Sequence, residues 1–190
     1  MTAARIKTSA GRERVIEQAI LDPRARQIFP RADAIRNCPL YQRHGRVDVL
    51  LLPKMGPKLV LIEAITSDSP DVASKVIGQL MMYYSAALQL GEKGLASLRT
   101  CAREYSERIK SINKRAGIQY LESTMTTAET WHKLSRGRKL RPEEIRLYVA
   151  TDGEPDGAVE ATLLALRKHH GIQIGLIQVV NQVVTVCEKK

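Results

Sequence analysis

The sequence predicts an α/β fold in which helices flank a central mixed β-sheet, with a basic helical insertion. Three observations carry that prediction. Short, continuously apolar runs of strand length alternate with segments whose apolar residues recur at helical spacing. Two such runs, 47–52 and 58–65, are separated only by Pro53-Lys54-Met55-Gly56-Pro57, a turn that pairs them as a hairpin. The later strands alternate with helical segments, as crossover connections require. A length of 190 residues suits one domain, 1–190, with the insertion at 93–144.

The first element is a helix over Gly11–Leu21, where Val15, Ile16, Ala19 and Ile20 share a face, Glu17 accompanies them, and Asp22-Pro23 ends the run. Residues 22–45 hold three prolines and many arginines, and read as irregular or short-helical. Val47–Leu52 and Lys58–Ile65 follow as strands, too apolar throughout to leave one face in water. Ser69-Pro70-Asp71 opens the next helix with a hydroxyl cap, a proline at the first helical position and an acid in the first turn. That helix runs to about Leu90, with Gly91 as its stop.

A further amphipathic helix is expected from Leu95 to Arg115. Leu98, Ala102, Tyr105, Ile109 and Ile112 make its apolar stripe, and Arg99, Arg103, Lys110 and Lys114 make a basic one. Residues 118–141 are polar and partly helical. Ile145–Ala150 is a third strand, Gly157–His169 a helix, Ile172–Val180 a fourth strand and Gln182–Cys187 a fifth.

Hydrophobic residues at 44% and charged residues at 26% exclude a disordered chain, a fibre and a coiled-coil rod. No apolar run is long enough for a bilayer span, and no secretory leader is expected from the N-terminal residues. Three scattered cysteines, Cys38, Cys101 and Cys187, fit a cytoplasmic protein without disulfides, and no zinc-finger spacing occurs. The net charge of +10 is unevenly placed: +6 over residues 1–46, −2 over 47–92, +7 over 93–146 and −1 over 147–190. Two basic segments thus flank an acidic centre, which favours a polyanionic partner.

The acidic centre holds the candidate chemistry. Adjacent strands of a hairpin can set Asp48 and Glu63 side by side at one end of the sheet. Paired carboxylates repel, and a hard divalent cation relieves that repulsion, so magnesium, or manganese in its place, is the expected cofactor. Lys75 and Gln79 lie four residues apart on the next helix and are expected on one of its faces. Basic flanks around such a centre suit an enzyme that hydrolyses phosphodiesters.

Glu17, Asp48, Glu63-Ala64-Ile65 and Gln79-Leu80-Met81-Met82-Tyr83 together resemble the PD-(D/E)XK nuclease superfamily, whose core order is helix, three-strand meander, helix, strand. Ile62 to Pro70 is similar to the Glu-Ala-Val-Thr-Ser-x-Gly-Pro signature of BsuBI/PstI-type restriction endonucleases. The resemblance implies a restriction-endonuclease-like core and a metal-dependent DNA endonuclease. Asp48, Glu63 and the Ile65 carbonyl would hold the ion, with Glu17 behind them through water. The chain departs from the superfamily at Ile65, where lysine is usual. Lys75 is then expected to supply the ammonium, with Gln79 beside it. Arg99, Arg103, Lys110 and Lys114 are expected to contact the phosphates of double-stranded DNA. A homodimer is compatible with this reading, and no membrane partner is expected. The alternative is a catalytically inactive nuclease-fold module that binds DNA or another protein.

Overall fold

The computed structural model describes residues 8–22, 28–29, 32–40, 45–53, 55–70, 72–91, 94, 98, 101, 104 and 139–187. Helix α1 spans Ser9–Leu21, and its first turn is capped by Thr8, whose hydroxyl accepts the Gly11 N–H. Strand β1, Ala32–Pro39, occupies the region read from sequence as irregular or short-helical, and this corrects that expectation. Pro39 sits at the end of the strand, and β1 is an edge strand, where a missing N–H leaves no central ladder broken.

The expected hairpin is present: β2, Arg46–Pro53, runs antiparallel to β3, Leu59–Ala64. A π-helical turn, Val72–Val76, leads into α2, Ile77–Gln89. The Ser69 N–H closes a turn onto the Thr66 carbonyl, so the regular helix begins well after the Ser-Pro-Asp start read from sequence. A 3-10 turn at Pro142–Glu144 precedes β4, Ile145–Thr151, and helix α3 covers Gly157–His170. Asp156 caps α3, and Gly171 closes it with a left-handed φ of 65°. Strands β5, Ile174–Val180, and β6, Val183–Cys187, complete the sheet. Of the predicted insertion, Gly94, Leu98, Cys101 and Glu104 are described as helical, the last three within the expected helix, and Leu98 is buried. Arg99, Arg103, Lys110 and Lys114 lie outside the described residues.

The six strands order as β1-β2-β3-β4-β5-β6. The first three form an antiparallel meander, β3, β4 and β5 are parallel, and β6 returns antiparallel. Helix α2 connects β3 to β4, and α3 connects β4 to β5. Both pack on one face of the sheet, against Leu50, Leu52, Leu59, Leu61, Leu147, Val149 and Leu176. Helix α1 lies on the other face with Val49, Leu51, Val60, Ile62, Ala150 and Ile177. Burial on both faces explains why β2 and β3 read as continuous apolar runs rather than alternating ones.

Candidate active site

Strand β3 alternates, with Val60, Ile62 and Ala64 toward α1 and Leu59 and Leu61 toward α2, so Glu63 follows Leu61 into the α2 layer. On β2 the alternation breaks. Val47 and Leu50, three residues apart, both face the α2 layer, as do Ile35 and Cys38 on β1. Between them lies Asn37, in the left-handed region at φ 54°, where the pairing runs Arg36 with Val49 and Cys38 with Val47. Asparagine tolerates this conformation better than most residues. Arg46 holds it by donating from Nε to the Asn37 carbonyl at 2.8 Å and to Oδ1 at 3.0 Å. The kink falls beside Asp48 and turns that side chain along the sheet toward β3.

There the backbone ladder between β2 and β3 ends at Val49 and Ile62, and carboxylates take over. The Ala64 N–H donates to Asp48 Oδ2 at 2.9 Å, and the Asp48 N–H donates to Glu63 Oε1 at 3.3 Å. The two carboxyl groups also hydrogen-bond to each other. Glu63 is only 5% exposed. Burial, then the Asp48 charge, pushes the Glu63 carboxyl up to about 9. Burial also raises Asp48, against the pull of the Ala64 N–H. Glu63 therefore keeps its proton at neutral pH, beside the half-buried Asp48 carboxyl.

The surroundings sharpen that charge. Glu17 on α1 is raised by burial and by Asp48, while its ion pair with Arg36 works the other way. Arg36, on β1, also lowers Asp48, so it is a cation whose charge the pair feels. The Tyr83 hydroxyl donates to the Arg46 carbonyl at 3.1 Å, and burial, then Glu63 and Asp48, raises the phenol to about 12. Gln79, one turn before Tyr83, is half-buried on the same helix.

Lys75 does not join this group. It is exposed, and no ion pair links it to Asp48 or Glu63 among the described residues. The π turn between Val72 and Val76 explains the difference, because its wider winding offsets the face that regular α-helical spacing would share with Gln79. Ile65 is buried and its N–H donates to the Ala150 carbonyl at 2.9 Å, an extension of the parallel ladder to β4. Sequence reading missed Arg36 and Tyr83 as parts of the site. Tyr83 carried a signal, since it lies four residues after Gln79. Arg36 carried none, because its strand was not foreseen.

A second polar cluster sits just beyond the ends of β3 and β4. Arg12 of α1 pairs with both Asp152 and Asp68, the latter at 2.8 Å. Asp152 Oδ1 accepts the Ser67 N–H at 2.9 Å and the Ser67 hydroxyl at 3.1 Å. Burial alone would raise Asp152, but Arg12 and Ser67 outweigh it and lower the group.

Among the described residues, no group of three or more His, Cys, Asp or Glu side chains is arranged for a metal ion. The donor set at Asp48 and Glu63 nonetheless fits a hard dication that keeps water ligands: two neighbouring carboxyl groups, Glu63 buried and Asp48 half-buried, with the Asp48 charge raising the proton affinity of Glu63. No family model, curated protein or solved structure matches the chain.

Proposed function

We propose that this chain is a metal-dependent DNA endonuclease with a restriction-endonuclease-like core. The observation that carries the reading is the pair of half-buried Asp48 and buried Glu63 at the mouth of the β2–β3 hairpin. A structural acid pair would gain more from one partner arginine than from a shared proton. A pair that takes either a proton or a dication is what a metal-assisted hydrolase needs. The element order from Ser9 to Thr151, helix, three-strand meander, helix, strand, supports the same reading.

Asp48 and Glu63 would hold magnesium or manganese. The ion would supply a polarised phosphoryl oxygen and a water of lowered pKa. The Ala64 N–H fixes Asp48, and the Asp48 N–H fixes Glu63, so neither carboxyl has to be reorganised for its task. Arg36 sets positive charge beside the pair, and Tyr83 closes it from α2. The basic residues 93–146 would hold the DNA backbone.

One observation favours a second reading, a nuclease-fold module that binds DNA without cutting it. Lys75 is exposed, Ile65 is apolar, and Arg36 is already paired with Glu17. Plasmid DNA incubated with and without magnesium or manganese decides between them. Metal-dependent cleavage by the wild type, lowered by orders of magnitude in Glu63→Gln, is the expected result. Salt-dependent DNA binding with no cleavage under either metal would establish the second reading instead. Lys75→Met should cut at close to the wild-type rate, since its ammonium stands apart from the acids.

A further inference from the structure

We propose that Arg146, Arg167 and Gln173 form an oxyanion site that takes one phosphoryl oxygen at the start of β4 and β5. It is independent of the acid pair. Arg146 pairs with Val60, whereas Glu63 pairs with Val149. Three residues of strand therefore separate the two places, about 10 Å along the sheet.

A small cavity of about 30 Å³ lies here, lined by Arg146, Tyr148, Arg167, Gln173, Ile174 and Gly175. Two of the six are guanidinium groups and none is a carboxylate. Arg146 donates to the Gln173 side-chain oxygen and so is anchored in place. Arg167 is not: its Nε is buried and has no hydrogen-bond partner among the described residues. Arginine offers donors only, so this N–H needs an acceptor, which an anion entering the cavity supplies. Leaving a buried donor unpaired is costly, and two cations lining one cavity add repulsion. An anionic oxygen relieves both.

Size and shape fit that occupant. The cavity admits a single oxygen-sized group and not a whole organic ligand. Its wall is fixed by a close approach: a Cβ at Gly175 would stand 2.8 Å from Tyr148 Cε1, so glycine is what lets the ring lie against β5. The phosphoryl group would point one oxygen inward, between the two guanidinium groups, with the rest of the anion at the surface. Arginine forks match this geometry better than ammonium groups do.

Inorganic phosphate at constant ionic strength is the probe, added to the full chain with thermal unfolding and the arginine Nε–H NMR resonances as readouts. Saturable stabilisation and a shift of the Arg167 Nε–H resonance are expected. Arg167→Met and Arg146→Met should weaken phosphate at least tenfold, while Lys168→Gln, an equal charge change on the neighbouring exposed residue, should leave it unchanged. Should Arg167→Met fail to fold, Arg167→Lys keeps the charge, deletes the Nε donor and should show the same loss. A DNA duplex that displaces bound phosphate identifies the anion as a nucleic-acid backbone, and one that does not identifies a free phosphate. Either outcome upholds the site. No saturable response in the wild type means that the cavity takes only water, and equal losses in Arg167→Met and Lys168→Gln mean only bulk charge. Either of those results overturns the proposal.

Discussion

Two pairs of carboxyl groups stand at the same end of the sheet, and they are resolved in opposite ways. Asp68 and Asp152 share Arg12, and both are held below the usual carboxylate range. Asp48 and Glu63, one strand over, have no such cation between them among the described residues, and both are pushed up. The cation that Asp48 feels, Arg36, is paired with Glu17, and Arg12 belongs to the other cluster. The first pair is a finished structural clasp. The second carries a proton where the first has a cation, which is the place the proposed function would give to a dication.

The strongest way to break this comparison is Arg12→Met. It removes the charge-assisted bond to the half-buried Asp152, and a loss of about 1.5–3 kcal/mol is expected in urea unfolding. If stability is unchanged, the clasp contributes nothing and the contrast fails. The metal response of this variant should still equal that of the wild type, because the two clusters share no partner.

The next effect is on pH dependence. Glu63 holds its proton when folded up to about 9 but releases it near 4.5 when unfolded. A raised folded pKa contributes stability that is complete below the unfolded value and is lost as pH climbs through the folded one. The metal-free protein should therefore lose stability between pH 5 and pH 9, at up to about 1.4 kcal/mol per pH unit for one proton. Glu63→Gln should flatten that slope. Asp152 has the opposite sign, and its contribution fades only as pH falls through the acid range. A slope that is identical in wild type and Glu63→Gln would remove the shared proton from the argument.

Metal binding sharpens the same point. Magnesium should raise the melting temperature of the wild type, more so at pH 8 than at pH 6, because the ion must displace about one proton. Asp48→Asn and Glu63→Gln should lose that response. The smallest effect belongs to Tyr83→Phe, which deletes the bond to the Arg46 carbonyl and should cost about 1 kcal/mol. Its metal response should persist.

Much of this was legible in the sequence. The β2–β3 hairpin announced itself because both strands are buried on two faces, and its turn residues bracket it. That alone set Asp48 beside Glu63. Strand β1 was not legible, because the prolines and arginines of residues 22–45 contradict strand propensity. An edge position tolerates Pro39, and Glu17 gives Arg36 its partner across the chain. The Lys75 orientation was missed for a different reason: helical spacing presumes an α-helix, and nothing in Val72–Val76 signals a π turn. The basic stripe Arg99, Arg103, Lys110 and Lys114 stays an expectation, outside the described residues.

The Arg12–Asp152 bond joins residues 140 apart in the chain. Closing so long a loop costs entropy that must be met before any contact across it can form. Helix α1 also packs on β1, β2 and β3 nearby in sequence, so the clasp to Asp152 is expected to close after those contacts, late in folding. Interactions absent from the transition state slow unfolding without speeding folding. The bond between the first helix and the loop after β4 is then a latch on lifetime: cutting it should let the native state open faster, while refolding proceeds at its usual rate.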